Sequence, residues 1–142
     1  MQVSQLVEFV GNHWYLFVAL AVVSGLLIHN LIVGDRGSVE PLAATDLINR
    51  QEATVIDVRP AADYAKGHII NAVNVPFNGF KNQMVALAKY KGKPIVVNCR
   101  SGAQSMAACR QLRKEGFEQV FNLKGGIMAW QEANLPVTRK KH

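Results

Sequence analysis

Residues 14–33 form one long apolar segment, WYLFVALAVVSGLLIHNLIV, in which 16 of 20 side chains are apolar and none is charged when His29 is neutral. A helix of this length measures about 30 Å, which matches the hydrocarbon core of a membrane. Trp14 and Tyr15 stand at one end, where aromatic side chains favour the membrane–water interface. We therefore predict one transmembrane helix over residues 14–33. The alternative is a buried core helix.

Charge is unevenly distributed around this segment. All 16 Lys and Arg residues lie in residues 36–142, together with 8 of the 10 acidic residues. The bias of basic residues towards the cytoplasm places the C-terminal part inside the cell and residues 1–13, a predicted N-terminal tail, outside. No basic residue precedes the apolar segment, which argues against a cleaved signal peptide. The expected localisation is that of a single-pass membrane protein with a cytoplasmic domain.

The composition excludes several classes of protein. A hydrophobic content of 49% is too high for a disordered chain. Two cysteines cannot build a disulfide framework or a four-cysteine zinc site, and the four histidines lack metal-ligand spacing. We expect no metal and no cofactor. No interleaving of basic and aromatic residues indicates nucleic-acid binding, so lipid headgroups or a small oxyanion are the expected anionic partners.

Strand and helix signals alternate after a short linker at residues 34–37. The strand signals are short and rich in β-branched residues, and they cover residues 54–58, 72–75, 94–98 and 119–123. The helix signals cover residues 41–50, 61–66, 78–90 (capped by Asn78), 103–115 and 127–133. This alternation predicts an α/β domain over residues 38–136, with a central parallel sheet flanked by helices on both faces. Residues 137–142 are a predicted basic tail that could contact anionic lipid.

Cys99 directly follows the most hydrophobic predicted strand and stands a few residues before a helix. Ligands of α/β sheets bind at the carboxyl ends of strands. Ser101 and Gly102 allow the chain to curl, so that backbone N–H groups converge at an anion-attracting helix N-terminus. With the charge of Arg100, this setting predicts a lowered pKa for the Cys99 thiol and a site for an anion carried on sulfur, such as a persulfide. The alternative is an inert, buried cysteine.

Four segments resemble, in order, motifs of the rhodanese-like family. Residues 99–104, CRSGAQ, resemble the active loop C-R-x-G-x-x, and residues 57–59 resemble its D-x-R motif. Residues 67–76 resemble the block G-H-I-x-G-A-x-N-I-P, with Asn71 in place of a glycine, and residues 125–130 resemble G-G-x-x-x-W. The resemblance covers about residues 38–136 and implies a single rhodanese-like domain.

The resemblance also implies sulfurtransferase activity with Cys99 as the catalytic nucleophile. Cys99 would take the outer sulfur of thiosulfate or a protein persulfide and pass it to cyanide, a thiol or a carrier protein. The implied substrate-binding residues follow it in the loop: Arg100, Ser101, Gly102, Ala103 and Gln104. Gln104 is uncharged where several family members carry a basic or hydroxyl residue, which argues against thiosulfate as the physiological donor.

Four further residues have two interpretations each. Asp57 and Arg59 could shape the pocket, or they could form an ion pair that fixes neighbouring loops. His68 could be a proton shuttle or a structural turn histidine. Cys109 could form a disulfide with Cys99, or it could be a small packed residue on an Ala-rich helix face.

Two classes of function remain. The first is a membrane-anchored sulfurtransferase, and the second is a non-catalytic, membrane-tethered interaction module that recruits a membrane or carrier protein. A cysteine phosphatase or arsenate reductase would need an arginine six positions after the nucleophile to bind a tetrahedral dianion. That position is Ser105, which argues against such an enzyme.

Overall fold

The computed structural model describes residues 2–34 and 37–140, which belong to two compact units, residues 1–36 and residues 37–142. The first unit contains helices α1 (Val3–Asn12) and α2 (Trp14–Gly34). The predicted N-terminal tail is therefore largely helical. Helix α1 is amphipathic because its apolar and polar residues recur at helical spacing on opposite sides. The apolar side consists of Val3, Leu6, Val7, Phe9 and Val10.

Helix α2 contains the predicted membrane segment. By length and composition, residues Trp14–Ile32 are apolar enough to cross a membrane, and none of that window is buried. A core helix of a soluble domain would bury much of such a window, so the exposure argues against that alternative. A signal sequence near the N-terminus has the same length and composition.

The second unit is built on a five-stranded parallel sheet with the order β1-β6-β5-β2-β4. Strands β3 and β7 form a separate antiparallel pair. The strands are β1 Ser38–Val39, β2 Thr54–Asp57, β3 His68–Ile69, β4 Val73–Asn74, β5 Ile95–Asn98, β6 Val120–Leu123 and β7 Val137–Thr138. The helices are α3 Pro41–Gln51, α4 Ala61–Lys66, α5 Phe80–Leu87 (continued by a 3₁₀ turn, Ala88–Tyr90), α6 Ala103–Lys114 and α7 Gly126–Glu132.

Helices cover both faces of the sheet. On one face, α5 and α6 pack against alternate residues of β2 and β5, with Phe80 and Leu112 among the fully buried side chains. On the other face, α3 and α7 contribute Ala44 and Trp130. Alternation of side chains along buried parallel strands produces these two cores. The predicted α/β class, with a parallel sheet between two layers of helices, is confirmed.

The basic tail and the cap of α5 differ from the prediction. The predicted basic tail begins with a strand, because His68 pairs with Thr138 and Ile69 with Val137. The folded domain thus extends beyond residue 136. Asn78 is not the cap of α5, since Gly79 takes that position with a φ of 79°. Part of the predicted linker, residues 35–36, and the end of the tail, residues 141–142, lie outside the described residues.

Candidate active site

The order of strands places Cys99 at the point where the chain changes direction across the sheet. After β2 the chain moves outward to β4, and after β5 it moves to the opposite side, to β6. Ligands of open α/β sheets bind in the crevice at the carboxyl ends of the strands on either side of such a point. Cys99 follows β5 directly, and Asp57, the last residue of β2, is the register partner of Asn98. The fold therefore presents Cys99 where this architecture binds ligands.

Two hydrogen-bonding groups converge on the sulfur of Cys99. The N–H group of Gly102 donates to Sγ over 2.9 Å, and Oγ of Ser105 lies 3.3 Å from Sγ. Gly102 has a φ of 106°, a left-handed conformation that only glycine adopts without strain, and it is the N-terminal cap residue of α6. The loop thus curls around a sulfur atom whose residue is only 3% exposed, at the N-terminus of a 12-residue helix.

These contacts set the charge state of the sulfur. Burial is the largest single influence and raises the pKa of Cys99, but hydrogen bonds from Ser105, Gly102 and Ser101 together outweigh burial. The pKa of Cys99 therefore lies below its ordinary value, as the sequence predicted. A thiolate is the nucleophilic form of cysteine, so these contacts increase the share of the reactive form compared with an ordinary cysteine.

The N-terminus of α7 holds the other side of the loop. The N–H group of Ile127 donates to the carbonyl oxygen of Cys99 over 2.9 Å, and that of Met128 donates to the carbonyl oxygen of Arg100 over 3.3 Å. Gly126 makes this approach possible, because a Cβ atom there would lie 2.5 Å from the carbonyl groups of Cys99 and Arg100. With these two carbonyls bound to α7, the loop is fixed with N–H groups facing the sulfur.

Comparison with known proteins identifies this arrangement. The family model of the rhodanese-like domain matches residues 40–133. The chain belongs to the rhodanese-like family. The uncharacterized protein YibN of Escherichia coli K12 is 36% identical over an alignment of 147 positions, which covers 97% of this chain and 99% of that protein.

Two further relatives match a smaller part of the chain. A sulfurtransferase of Allochromatium vinosum is 35% identical over 91 residues, covering 64% of this chain and 83% of that protein. The crystal structure of a rhodanese-related protein from Thermoplasma volcanium superposes with a TM-score of 0.66 at 28% identity. That superposition covers 72% of this chain and 98% of the other.

Four of the five predicted substrate-binding residues of the loop face solvent. Arg100, Ser101, Ala103 and Gln104 are exposed, whereas Gly102 is buried. Gln104 lines a small cleft of about 120 Å³ beside the loop. The cleft is lined by uncharged residues: Val58, Pro60, Pro76, Phe77, Asn78 and Gln104. The surface next to the loop is therefore largely apolar, although Arg100 supplies a positive charge within the loop itself.

Asp57 and Arg59 form a buried ion pair. Nη2 of Arg59 lies 2.7 Å from Oδ2 of Asp57, and Nε of Arg59 contacts both carboxylate oxygens. Arg59 also donates to the carbonyl oxygen of Gly67 over 2.7 Å. The pair thereby ties the loop after β2 to the end of α4. These are the contacts of an ion pair that fixes neighbouring loops.

His68 is fully buried away from the described contacts of Cys99. Its ring stacks on Tyr64 with centroids 3.7 Å apart, and Nδ1 lies 2.8 Å from the carbonyl oxygen of Tyr64. Nε2 has no hydrogen-bond partner among the described residues. This enclosed position within α4 and β3 corresponds to a structural histidine and offers no contact through which a proton would reach the sulfur.

Asn71, where the family motif has glycine, keeps the conformation of the turn. Its φ is 66°, in the left-handed region that asparagine tolerates better than most residues. The departure from the motif therefore does not change the course of the chain between β3 and β4.

Ser105 and Asn122 are site residues that sequence reasoning missed. Ser105 contacts Sγ of Cys99, and its Oγ lies 2.5 Å from Oδ1 of Asn122. Ser105 lies six positions after Cys99, where a phosphatase would have arginine. The same spacing places its hydroxyl on the first turn of α6, beside the sulfur. Asn122 lies on β6, 17 residues further along the chain, and no local pattern connects the two. Among the described residues, no cluster of His, Cys, Asp or Glu could hold a metal ion.

Proposed function

We propose that the protein is a membrane-anchored sulfurtransferase that passes sulfane sulfur through a persulfide on Cys99. The observation that carries the proposal is the pair of hydrogen-bonding groups on Sγ, the N–H of Gly102 at 2.9 Å and the hydroxyl of Ser105 at 3.3 Å. The N–H of Gly102 is a fixed donor and the Ser105 hydroxyl is placed to donate as well, so the site favours a negatively charged Sγ in the attacking thiolate. Membership of the rhodanese-like family and the relative named a sulfurtransferase support the same chemistry.

The reaction has two steps that balance without a cofactor. In the first, the Cys99 thiolate attacks the outer sulfur of a donor. The bond between the two donor atoms breaks, and the leaving group, sulfite from thiosulfate or a thiolate from a persulfide, takes the electron pair. In the second, an acceptor thiolate or cyanide attacks the outer sulfur of the Cys99 persulfide. The sulfur–sulfur bond breaks and Cys99 leaves as the thiolate, which the same donors stabilise.

The cleft beside the loop favours a persulfide of a thiol or protein as the donor. Thiosulfate is a small dianion that depends on positive charge for binding, whereas the six residues lining the cleft are uncharged. A protein or peptide persulfide brings its own apolar and polar surface to the cleft. Arg100 remains the nearest basic side chain in the sequence of the loop and supports weaker use of thiosulfate.

Intact-mass measurement tests this function directly. The full chain in detergent is incubated with thiosulfate or with glutathione persulfide, and its mass is measured before and after addition of cyanide. We expect a gain of one sulfur atom, faster from glutathione persulfide, and complete loss of that atom as thiocyanate. Absence of a gain from both donors would refute the proposal and would favour the non-catalytic interaction module.

We further infer that α2 anchors the protein with the rhodanese-like domain in the cytoplasm. The window Trp14–Ile32 has the length and composition of a membrane span, and none of its residues is buried. All Lys and Arg residues follow the apolar segment. The match to YibN over 97% of this chain means that most of the N-terminal region has a counterpart in that relative.

Lysine labelling tests the anchor and its orientation together. Every lysine lies at or beyond Lys66, so an amine reagent that does not cross membranes reports the domain alone through its lysines. In spheroplasts of an expressing bacterium, we expect these lysines to be labelled only after the cells are broken. The protein should also stay with membranes at alkaline pH. Labelling in intact spheroplasts would show the opposite orientation, and release at alkaline pH would show that α2 is not an anchor.

A further inference from the structure

Three polar side chains form a line from the sulfur of Cys99 to the edge of the sheet. Ser105 Oγ lies 3.3 Å from Sγ and 2.5 Å from Oδ1 of Asn122, and Nδ2 of Asn122 lies 3.3 Å from Oγ of Ser38. Ser105 is fully buried and Asn122 is 5% exposed, while Ser38 is half-buried in the edge strand β1. Hydrogen bonds in such a buried series polarise one another, so the far end influences the near end.

The single proton of Ser105 has three acceptors within reach. These are Sγ of Cys99, Oδ1 of Asn122 and the carbonyl oxygen of Gly102 at 3.0 Å. When Oδ1 faces Ser105, the hydroxyl donates to Asn122, and a lone pair of Oγ remains to accept the proton of a Cys99 thiol. Compared with the reverse direction, this direction of the series favours the neutral thiol, while the N–H of Gly102 still donates to Sγ.

A half turn of the Asn122 amide reverses the series. Nδ2 then donates to Oγ of Ser105, and the hydroxyl of Ser38 donates to Oδ1. The hydroxyl of Ser105 can then donate to Sγ of Cys99, which stabilises a negative charge on that sulfur. Each of these groups keeps a partner in both directions, because an amide carries a donor and an acceptor in equivalent positions.

We propose that Ser38, Asn122 and Ser105 form a reversible hydrogen-bond series whose direction follows the charge on the Cys99 sulfur, with Asn122 as a positioning residue. The thiolate accepts a hydrogen bond from the Ser105 hydroxyl, and the neutral thiol donates to the Ser105 lone pair. The consequence for sulfur transfer rests on the proposed function. The response of the thiol itself is independent of the proposed function, because Cys99 titrates without any sulfur donor present.

The pH dependence of Cys99 alkylation tests the proposal. The full chain in detergent reacts with iodoacetamide, and peptide mass mapping follows Cys99 alone; only the thiolate reacts. The wild-type midpoint should lie below that of free cysteine. Asn122→Asp removes the amide donor and obliges Ser105 to donate to a carboxylate. We expect the midpoint to rise by about one pH unit, so that alkylation well below both midpoints slows about tenfold. Ser105→Ala should shift the midpoint in the same direction.

Two further variants keep the test decisive. Asn82→Asp, on an exposed position of α5, changes the net charge equally and should leave the midpoint unchanged. Ser38→Ala does not touch Cys99 and should still raise the midpoint, slowing alkylation at low pH about threefold. A folded Asn122→Asp protein with the wild-type midpoint would overturn the proposal, as would an equal shift in Asn82→Asp. If Asn122→Asp does not fold by circular dichroism, an unchanged midpoint in Ser38→Ala would overturn it instead.

The readout separates this proposal from the proposed function. Midpoints that move as expected in a protein that takes up no sulfur from either donor would support the hydrogen-bond series and refute sulfur transfer. Normal sulfur uptake with a midpoint that does not change in Asn122→Asp would support sulfur transfer and refute the hydrogen-bond series.

Discussion

Replacement of Cys99 by serine should abolish uptake of sulfur from both thiosulfate and glutathione persulfide. A serine hydroxyl is not ionised at neutral pH and cannot carry a persulfide, so the rate of cyanide-dependent sulfur release should fall by at least about a thousandfold. The fold should persist, because serine differs from the 3% exposed Cys99 by one atom and can accept the Gly102 N–H. Intact mass before and after each donor measures the effect.

Cys109→Ala is the matched control for the loss of a thiol. Cys109 is 1% exposed and packs in the core between α6 and the sheet. We expect this variant to gain and lose one sulfur atom at the wild-type rate, with only a small decrease in stability from the lost side-chain atom. Uptake that survives in Cys99→Ser and disappears in Cys109→Ala would contradict the assignment of the nucleophile.

Replacement of Gly126 by alanine should strongly destabilise the domain, although it adds only one methyl group. The new Cβ would lie 2.5 Å from the backbone carbonyls of Cys99 and Arg100, which cannot move away without leaving α7. The φ of 63° adds strain for any residue with a side chain. Together these effects should lower the free energy of unfolding by about 2–5 kcal/mol. Urea denaturation followed by circular dichroism and Trp fluorescence measures the change.

Gly79→Ala separates backbone strain from the clash. Gly79 has a φ of 79°, but a Cβ atom there meets nothing within 4 Å. We expect Gly79→Ala to lower the free energy of unfolding by about 1–2 kcal/mol, from backbone strain alone. If Gly126→Ala cost no more than Gly79→Ala, the close packing of α7 against the active loop would be disproved. Sulfur uptake should also slow in Gly126→Ala, because the loop carbonyls lose their fixed positions.

The central part of the fold could be predicted because its signals are local. The β-branched strands and the helices between them were located within a few residues, since buried parallel strands appear as short apolar runs. Strands β1, β3 and β7 have two residues each and lie outside the β-branched runs, so no local pattern predicts them. Pairing of β7 with β3 joins positions about 70 residues apart, and only tertiary structure brings them together.

The candidate site also has a part that local sequence signals predict and a part that depends on tertiary contacts. The loop around Cys99 was predictable because a strand, a cysteine, a small flexible segment and a helix follow one another directly. Asn122 and the contact of Gly126 with the loop were not, because both depend on distances between β5, β6 and α7. The exposed predicted residues Arg100 and Gln104 also show that membership of a motif does not determine which side chains face the sulfur.

The burial of Cys109 bears on how long a loaded molecule would keep its sulfur. Burial raises the pKa of Cys109 to about 12. At pH 7 only about one molecule in 10⁵ then carries a thiolate there. Cys109 is the other cysteine of the chain, and its thiolate would be the form required to attack Sγ of a persulfidated Cys99, expelling hydrosulfide and closing a disulfide. With so small a population, discharge by Cys109 would be slow, and a persulfide formed on Cys99 would persist until an external acceptor arrives.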